Sequence, residues 1–277
     1  MVNANPARKV VVVRAIGKCD QYQVKLTDQL IELNELLKQA DERAVQVIAE
    51  IKAKISAIVA ELQLDFDVSE LDQLADLRDA NLISRGEYFT ARLMAEYLDW
   101  PLIDARHFLV IHQGNVDYQI SKFRLNHLTK DIEHFIVPGF YGVNKDHQIE
   151  LLTRGGGDTS GAIVANLVNA AKYENWTDTC GIYDADPNEH ADAQRYDFLT
   201  YTGLQEFADL GLQIYNPAAI KPVQAKQIPI EIRNTNDPNQ VGTIIISDAK
   251  FHFKLPVQGN NVVKSKSKQK NKKEIAQ

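Results

Sequence analysis

The sequence predicts an α/β protein, a three-layer αβα sandwich around a mostly parallel sheet, and three observations carry that prediction. Residues 9–13 (KVVVV) form a continuous β-branched run, the pattern of a strand covered on both faces. Amphipathic helical stretches alternate with further short apolar runs, the order that places helices on either side of a parallel sheet. Residues 149–171 (IELLTRGGGDTSGAIVANLVNAA) pass from a short strand through a glycine-rich turn into a helix. Such a junction offers an anion unpaired N–H groups and the positive end of a helix dipole.

In chain order, the β-branched run stops in RAIGKCDQ (14–21), a loop at the carboxyl end of its strand, where open α/β sheets place ligand-binding loops. Thr27 is expected to cap a helix over DQLIELNELLKQA (28–40). A second helix over residues 41–62 carries Ile48, Ile51, Ile55, Ile58, Val59 and Leu62 on one face, a core-packing stripe without a chemical role. Residues 65–80 are acidic and read as helical or irregular. Ser84 begins a turn, and Glu87 opens an amphipathic helix in ISRGEYFTARLMAEYLDW (83–100). Short strands are expected at 101–104 and 109–112, then a helix near 126–133. HFIVPGFYG (134–142) reads as a buried strand ending at Pro138-Gly139. In the glycine-rich element the strand spans 149–153, and Asp158, Thr159 and Ser160 open the helix. NWTDTCGIYDADP (175–187) is rich in turn formers and reads as a loop. A capped helix over 200–210, a strand and a helix within 212–225, and strands in IPIEIRNTN and VGTIIIS (241–247) follow. With no linker before residue 249, one domain over 1–248 and a tail over 249–277 are expected.

Composition narrows the function classes. The chain has 277 residues, 44% hydrophobic and 25% charged, ordinary for a globular protein with a full-sized core. No apolar run approaches the roughly 20 residues of a membrane span, and MVNANPARK has no secretory pattern. Cys19 and Cys180 match no metal or redox spacing and are expected as reduced thiols in the cytosol. The histidines form no ligand pattern, so no structural metal is expected. Eight lysines against Asp248 and Glu274 give the stretch from Asp248 onward a charge of +6 and leave −12 on the body. The low-complexity KSKSKQKNKK (264–273) is expected to be a solvated, disordered tail, and the acidic body argues against nucleic acid as a partner.

Residue chemistry by itself leaves each candidate open. Gly155, Gly156 and Gly157 could be a plain tight turn, but Arg154 before them and the strand-to-helix context favour an anion site. Glu87 could simply complement the dipole of its helix. Thr177, Asp178 and Tyr183 could line a nucleotide edge or form an Asx turn.

Several segments then combine in order and spacing: KVVVVRAIGK, KLTDQLIEL, ISRGEYFTARLMAEYL, VPGFYG, LLTRGGGDTSGAIVA, ENWTDTCGIYDADP and IEIRNTNDPNQVGT. Over residues 5–247 the chain resembles the aspartate kinases (aspartokinases) of the amino-acid kinase fold. The resemblance implies transfer of the ATP γ-phosphoryl group to the side-chain carboxylate of L-aspartate, with Mg²⁺ carried on the ATP phosphates, as an early step of lysine, threonine and methionine synthesis. By position it implies that Thr27, Glu87, Arg154, Gly155, Gly156, Gly157 and Asp158 hold aspartate, Glu87 taking its α-ammonium. Thr177, Asp178, Tyr183, Gln213 and Ile214 would border ATP. A homodimer, or pairing with another aspartokinase subunit, is the implied assembly.

The chain also departs from the family pattern. By the resemblance, its Met1 is expected to fall after the family's first strand and lysine-glycine-glycine loop, and the lysine-rich tail is expected to stand where regulatory ACT domains would follow. Arg14 and Gly157 occupy positions where serine is usual, Asn188 replaces an arginine, Gln213 a lysine and Asn216 a histidine. Loss of cations around the phosphates lowers transition-state stabilisation. The alternative expectation is therefore an impaired or inactive relative that acts as an aspartate-binding or subunit-interaction module. A glutamate or uridylate kinase is disfavoured by ISRGE and WTD together.

Overall fold

The computed structural model describes residues 1–19, 21–152, 156–185, 190, 192–209 and 220–248. The expectations for Arg154, Gly155, Gln213, Ile214, Asn188, Asn216 and the tail lie outside the described residues. The chain divides into two compact units, Met1–Ala170 and Ala171–Gln277.

The first unit runs β1 (Val10–Val13), α1 (Leu26–Lys38), α2 (Arg43–Leu62), α3 (Asp79–Ile83), α4 (Arg85–Leu98), β2 (Ile111–His112), β3 (Asn115–Val116), α5 (Tyr118–Leu128), β4 (Phe135–Pro138), β5 (Tyr141–Val143), β6 (Ile149–Leu151) and α6 (Gly156–Leu167). Strands β1 and β4 pair in parallel from Val10↔Phe135 to Val13↔Pro138. Alternation sorts their side chains onto two helices. Val11, Val13 and Ile136 pack with Ala91, Met94, Ala95 and Leu98 of α4. Val10, Val12, Phe135 and Val137 join Ile163, Val164 and Leu167 of α6. The β-branched run therefore does lie between two helical layers. A second core, built by Leu26, Leu30 and Leu33 of α1, Ile51 and Ile55 of α2, and Leu71, Leu74 and Phe89, lies beneath the helical region.

Several local expectations are corrected. Helix α1 begins at Leu26 with Lys25 as its N-cap residue, so Thr27 sits inside the first turn and makes no cap. On α2, Ile51 and Ile55 are fully buried, but Leu62 is 42% exposed at the helix end. The helix expected near 126–133 is α5, eight residues earlier, where the Asp117 carboxylate accepts the Ile120 N–H at 3.0 Å. Its apolar Ile120 and Phe123 face solvent, which blurs the helical stripe in the sequence. Residues 101–104 contribute one bridge, Leu102↔Ile136, before Asp104 caps a single 3₁₀ turn at Ala105–His107. Helix α6 starts at Gly156, within the glycine run rather than after it.

The second unit contains β7 (Tyr173–Thr177), β8 (Ile182–Tyr183), β9 (Arg195–Tyr196), β10 (Phe198–Thr200), α7 (Tyr201–Asp209), α8 (Ile220–Gln224), β11 (Ile230–Asn234) and β12 (Asp237–Ile246). Its sheet has the order β10-β12-β11-β7. The outer pairings are parallel, and the β11–β12 hairpin between them is antiparallel. Residues 173–177, whose polar composition suggests a loop over 175–187, form a strand because β11 pairs along their whole length. The cap expected at Thr200 is present: its hydroxyl accepts the Gly203 N–H at 3.0 Å.

Candidate functional site

In the first unit, the carboxyl ends of β1 and β4 meet the N-terminal turns of α1, α4 and α6 around the loop that follows Val13. The Leu26 N–H at the start of α1 donates to Ile16 O at 3.0 Å, and the Gly139 N–H after β4 donates to Val13 O at 2.9 Å. A Cβ on Gly86 would lie 2.9 Å from Ala15 Cβ, so glycine lets α4 close onto the same loop. The Ser160 hydroxyl, buried in α6, accepts the Phe140 N–H at 2.7 Å and ties α6 to the β4–β5 turn. Three helix N-termini thus point at one loop, a geometry that favours anionic groups.

Glu87 is the most unusual side chain there. It lies in the first turn of α4 and is only 5% exposed. Burial pushes its carboxyl up to about 7, although N–H groups of Glu87 and Ala15 and the charge of Arg14 act in the opposite direction. Its Oε2 is buried without a hydrogen-bond partner. A buried carboxylate with one oxygen unsatisfied costs free energy unless a cation or donor completes it. Glu87 Oε2 is thus an open acceptor that a cation or a hydrogen-bond donor could complete.

Arg14 leaves β1 towards α6. Its Nη1 lies 3.5 Å from Asp158 Oδ1, with the Arg14 side chain 63% exposed. The two departures from the family serine pattern, Arg14 and Gly157, are in contact: a Cβ on Gly157 would stand 2.4 Å from Arg14 Cγ. Thr27 is half-buried, one residue after Leu26. Of the expected acceptor residues, Gly157 and Asp158 lie against Arg14, Glu87 feels the Arg14 charge, and Thr27 follows Leu26, whose N–H bonds the same loop, in the first turn of α1. Arg154 and Gly155 lie outside the described residues, and nothing is described of Gly156 beyond its place at the start of α6.

Sequence reasoning reads Arg14 only as a departure, although a cation at the end of a buried strand is itself a signal. It also misses a brace beneath α4. There Tyr141, fully buried, donates its hydroxyl to Asp104 Oδ1 at 2.9 Å, and Arg106 Nε donates to Asp104 Oδ2 at 2.6 Å. Arg85 is buried 4.4 Å from the centre of the Tyr88 ring. Burial and the Asp104 charge hold the Tyr141 hydroxyl well above the usual phenol range.

In the second unit, Thr177 ends β7, and its hydroxyl donates to Asp178 Oδ1 at 3.0 Å. Thr235 fixes the Thr177 carbonyl through its N–H at 2.8 Å and its hydroxyl at 3.1 Å. Asp178 is exposed, and Tyr183 is half-buried in the β8–β9 hairpin. Glycine is required at 181, where φ is +112° and a Cβ would meet Thr243 Oγ1 at 2.6 Å. Cys19 and Cys180 are free thiols. Among the described residues there is no group of three or more His, Cys, Asp or Glu that could hold a metal, and no helix long and apolar enough to cross a membrane.

Comparison with known proteins gives the same family. The sequence model of the amino acid kinase family matches residues 4–234. Aspartokinase 3 of Bacillus subtilis is 29% identical over 268 residues, 89% of this chain and 59% of that protein. The aspartate kinase crystal structure from Clostridium acetobutylicum superposes with a TM-score of 0.81 at 30% identity, covering 90% of this chain and 57% of that one. Escherichia coli aspartokinase III, solved with aspartate and ADP, shares the fold with a TM-score of 0.68 at 22% identity, over 89% of this chain and 59% of its own. The chain spans under two thirds of the length of each.

Proposed function

The chain belongs to the amino acid kinase family, and from that premise we propose that it acts as an aspartate kinase. The reaction joins a side-chain carboxylate oxygen of L-aspartate to the γ-phosphorus of ATP while the bond from that phosphorus to ADP breaks, giving 4-phospho-L-aspartate. Such transfer rests on positioning and charge neutralisation more than on covalent chemistry by the protein. The observation that carries the reading is the buried Glu87 carboxylate, one oxygen bare, among the N-termini of α1, α4 and α6. It suits the α-ammonium of an amino acid whose carboxylates need the opposite charge. Thr27, Gly155, Gly156, Gly157 and Asp158 would line that acceptor pocket, and Arg154 would take a carboxylate. Thr177, Asp178, Tyr183, Gln213 and Ile214 would border the adenine and ribose. Mg²⁺ would travel with the ATP phosphates.

The relatives' names support the same substrate, and the product would feed lysine, threonine and methionine synthesis in the cytoplasm. A homodimer, or pairing with an aspartokinase subunit, is the proposed assembly; Tyr118, Ile120, Phe123 and Leu128, all exposed on α5, support a partner-covered face. Trapping the acyl phosphate with hydroxylamine, using Mg-ATP and either aspartate or glutamate, together with ADP release measured in the presence of UMP, tests the function. Hydroxamate from aspartate alone is expected. Folded protein that gives none, or that phosphorylates glutamate or UMP faster, would refute it.

A further inference from the structure

Arg14 crosses the first turn of α6 in a space that only glycine leaves open. A Cβ on Gly157 would stand 2.4 Å from Arg14 Cγ, 2.6 Å from Cδ and 2.7 Å from Nε. The guanidinium reaches Asp158 through one nitrogen at 3.5 Å, and the side chain is 63% exposed. An exposed pair of that length contributes little by itself, and it engages little of a fork that carries five N–H donors. On the other side of the same loop, Glu87 is buried with Oε2 unpartnered and lies within the field of the Arg14 charge. A cation with unused donors and a buried anion with an open oxygen, flanking one loop, match a zwitterion rather than a simple ion.

We infer that Arg14 is a carboxylate-binding residue of the acceptor pocket, admitted there by Gly157, so that positions 14 and 157 work as a coupled pair. The inference rests on the aspartate reading above. It adds a second cation to the pocket, supplied by β1 rather than by the glycine-rich turn. Its planar fork meets a carboxylate in two parallel hydrogen bonds, which a lysine cannot reproduce.

Titration calorimetry with L-aspartate at pH 8 tests this on wild type, Arg14→Ser, Arg14→Lys, Gly157→Ser and the double variant Arg14→Ser/Gly157→Ser, with thermal melts of each. Arg14→Ser is expected to weaken aspartate binding by about 10-fold or more, the loss typical of a charge-assisted hydrogen bond. Arg14→Lys should recover only part of that loss. Gly157→Ser should lower both affinity and melting temperature while Arg14 is present, and the melting temperature should recover when Arg14 is also serine. Wild type that binds aspartate and an Arg14→Ser variant within twofold of it would overturn the inference and leave the aspartate reading standing. Wild type that binds no aspartate would overturn both. Melting-temperature changes that simply add in the double variant would refute the coupling of the two positions.

Discussion

Neutralising Glu87 should change the pH dependence of stability in a calculable way. Its carboxyl is raised from an ordinary 4.5 to about 7 by burial, so between those values the folded protein binds a proton that the unfolded chain has released. Stability from this group is therefore fully present below pH 4.5 and lost as pH rises through 7. One pKa unit corresponds to about 1.36 kcal/mol, so ionised Glu87 destabilises the folded state by about 3 kcal/mol above pH 8 and by about 1 kcal/mol at pH 5. Gln at 87 keeps the shape but does not titrate. Its amide adds a constant offset, because the new NH₂ meets the same unfilled surroundings. Urea denaturation of wild type and Glu87→Gln at both pH values isolates the titrating part. The variant should gain about 2–3 kcal/mol relative to wild type between pH 5 and pH 8. A difference that stays constant across that range would refute the account of Glu87 as a buried, unpaired carboxyl.

Four further changes probe the scaffold of the same unit. Gly142→Ala places a Cβ 2.4 Å from the Leu109 carbonyl oxygen, a backbone atom that cannot move aside, and should cost about 1–3 kcal/mol in chemical denaturation. Tyr141→Phe removes the donor to Asp104 while Arg106 still pairs with that carboxylate; a loss of about 1–2 kcal/mol is expected, and an unchanged unfolding midpoint would show the brace to be dispensable. Ile55→Ala empties a fully buried site on α2 and should cost about 2–5 kcal/mol. Leu62→Ala, on the same helix but 42% exposed, should stay within about 0.5 kcal/mol of wild type.

The parts of this fold that the sequence displays are those where one local rule dominates. Val10–Val13 reads as a two-faced strand because all four residues are apolar and β-branched; its side chains do alternate between α4 and α6, although only Val13 is buried and the other three are half-buried. Ile51 and Ile55 read as core because helical spacing alone puts them on the buried face. What the sequence hides is set by partners distant along the chain. Tyr173–Thr177 looks like a polar loop until β11 supplies its hydrogen bonds. Helix α5 starts at its Asp117 cap, but its solvent-facing Phe123 obscures the period. At the candidate site, Glu87 is visible as a motif residue, whereas its burial and bare oxygen depend on the loop at Ala15 packing against Gly86. Arg14 and Gly157 look like two separate oddities in sequence. Their contact makes them one feature.

Glu87 is proposed to receive the ammonium of an acidic amino acid. Calorimetric titration of L-aspartate into wild type and Glu87→Gln at pH 8, where Glu87 is ionised, tests it most directly. Saturable binding to wild type and at least about 10-fold weaker binding to the variant are expected. Wild-type binding at pH 6 should also release a proton, because the ligand's ammonium draws Glu87 into its charged form. Equal affinity for the two proteins, with no proton released, would contradict it.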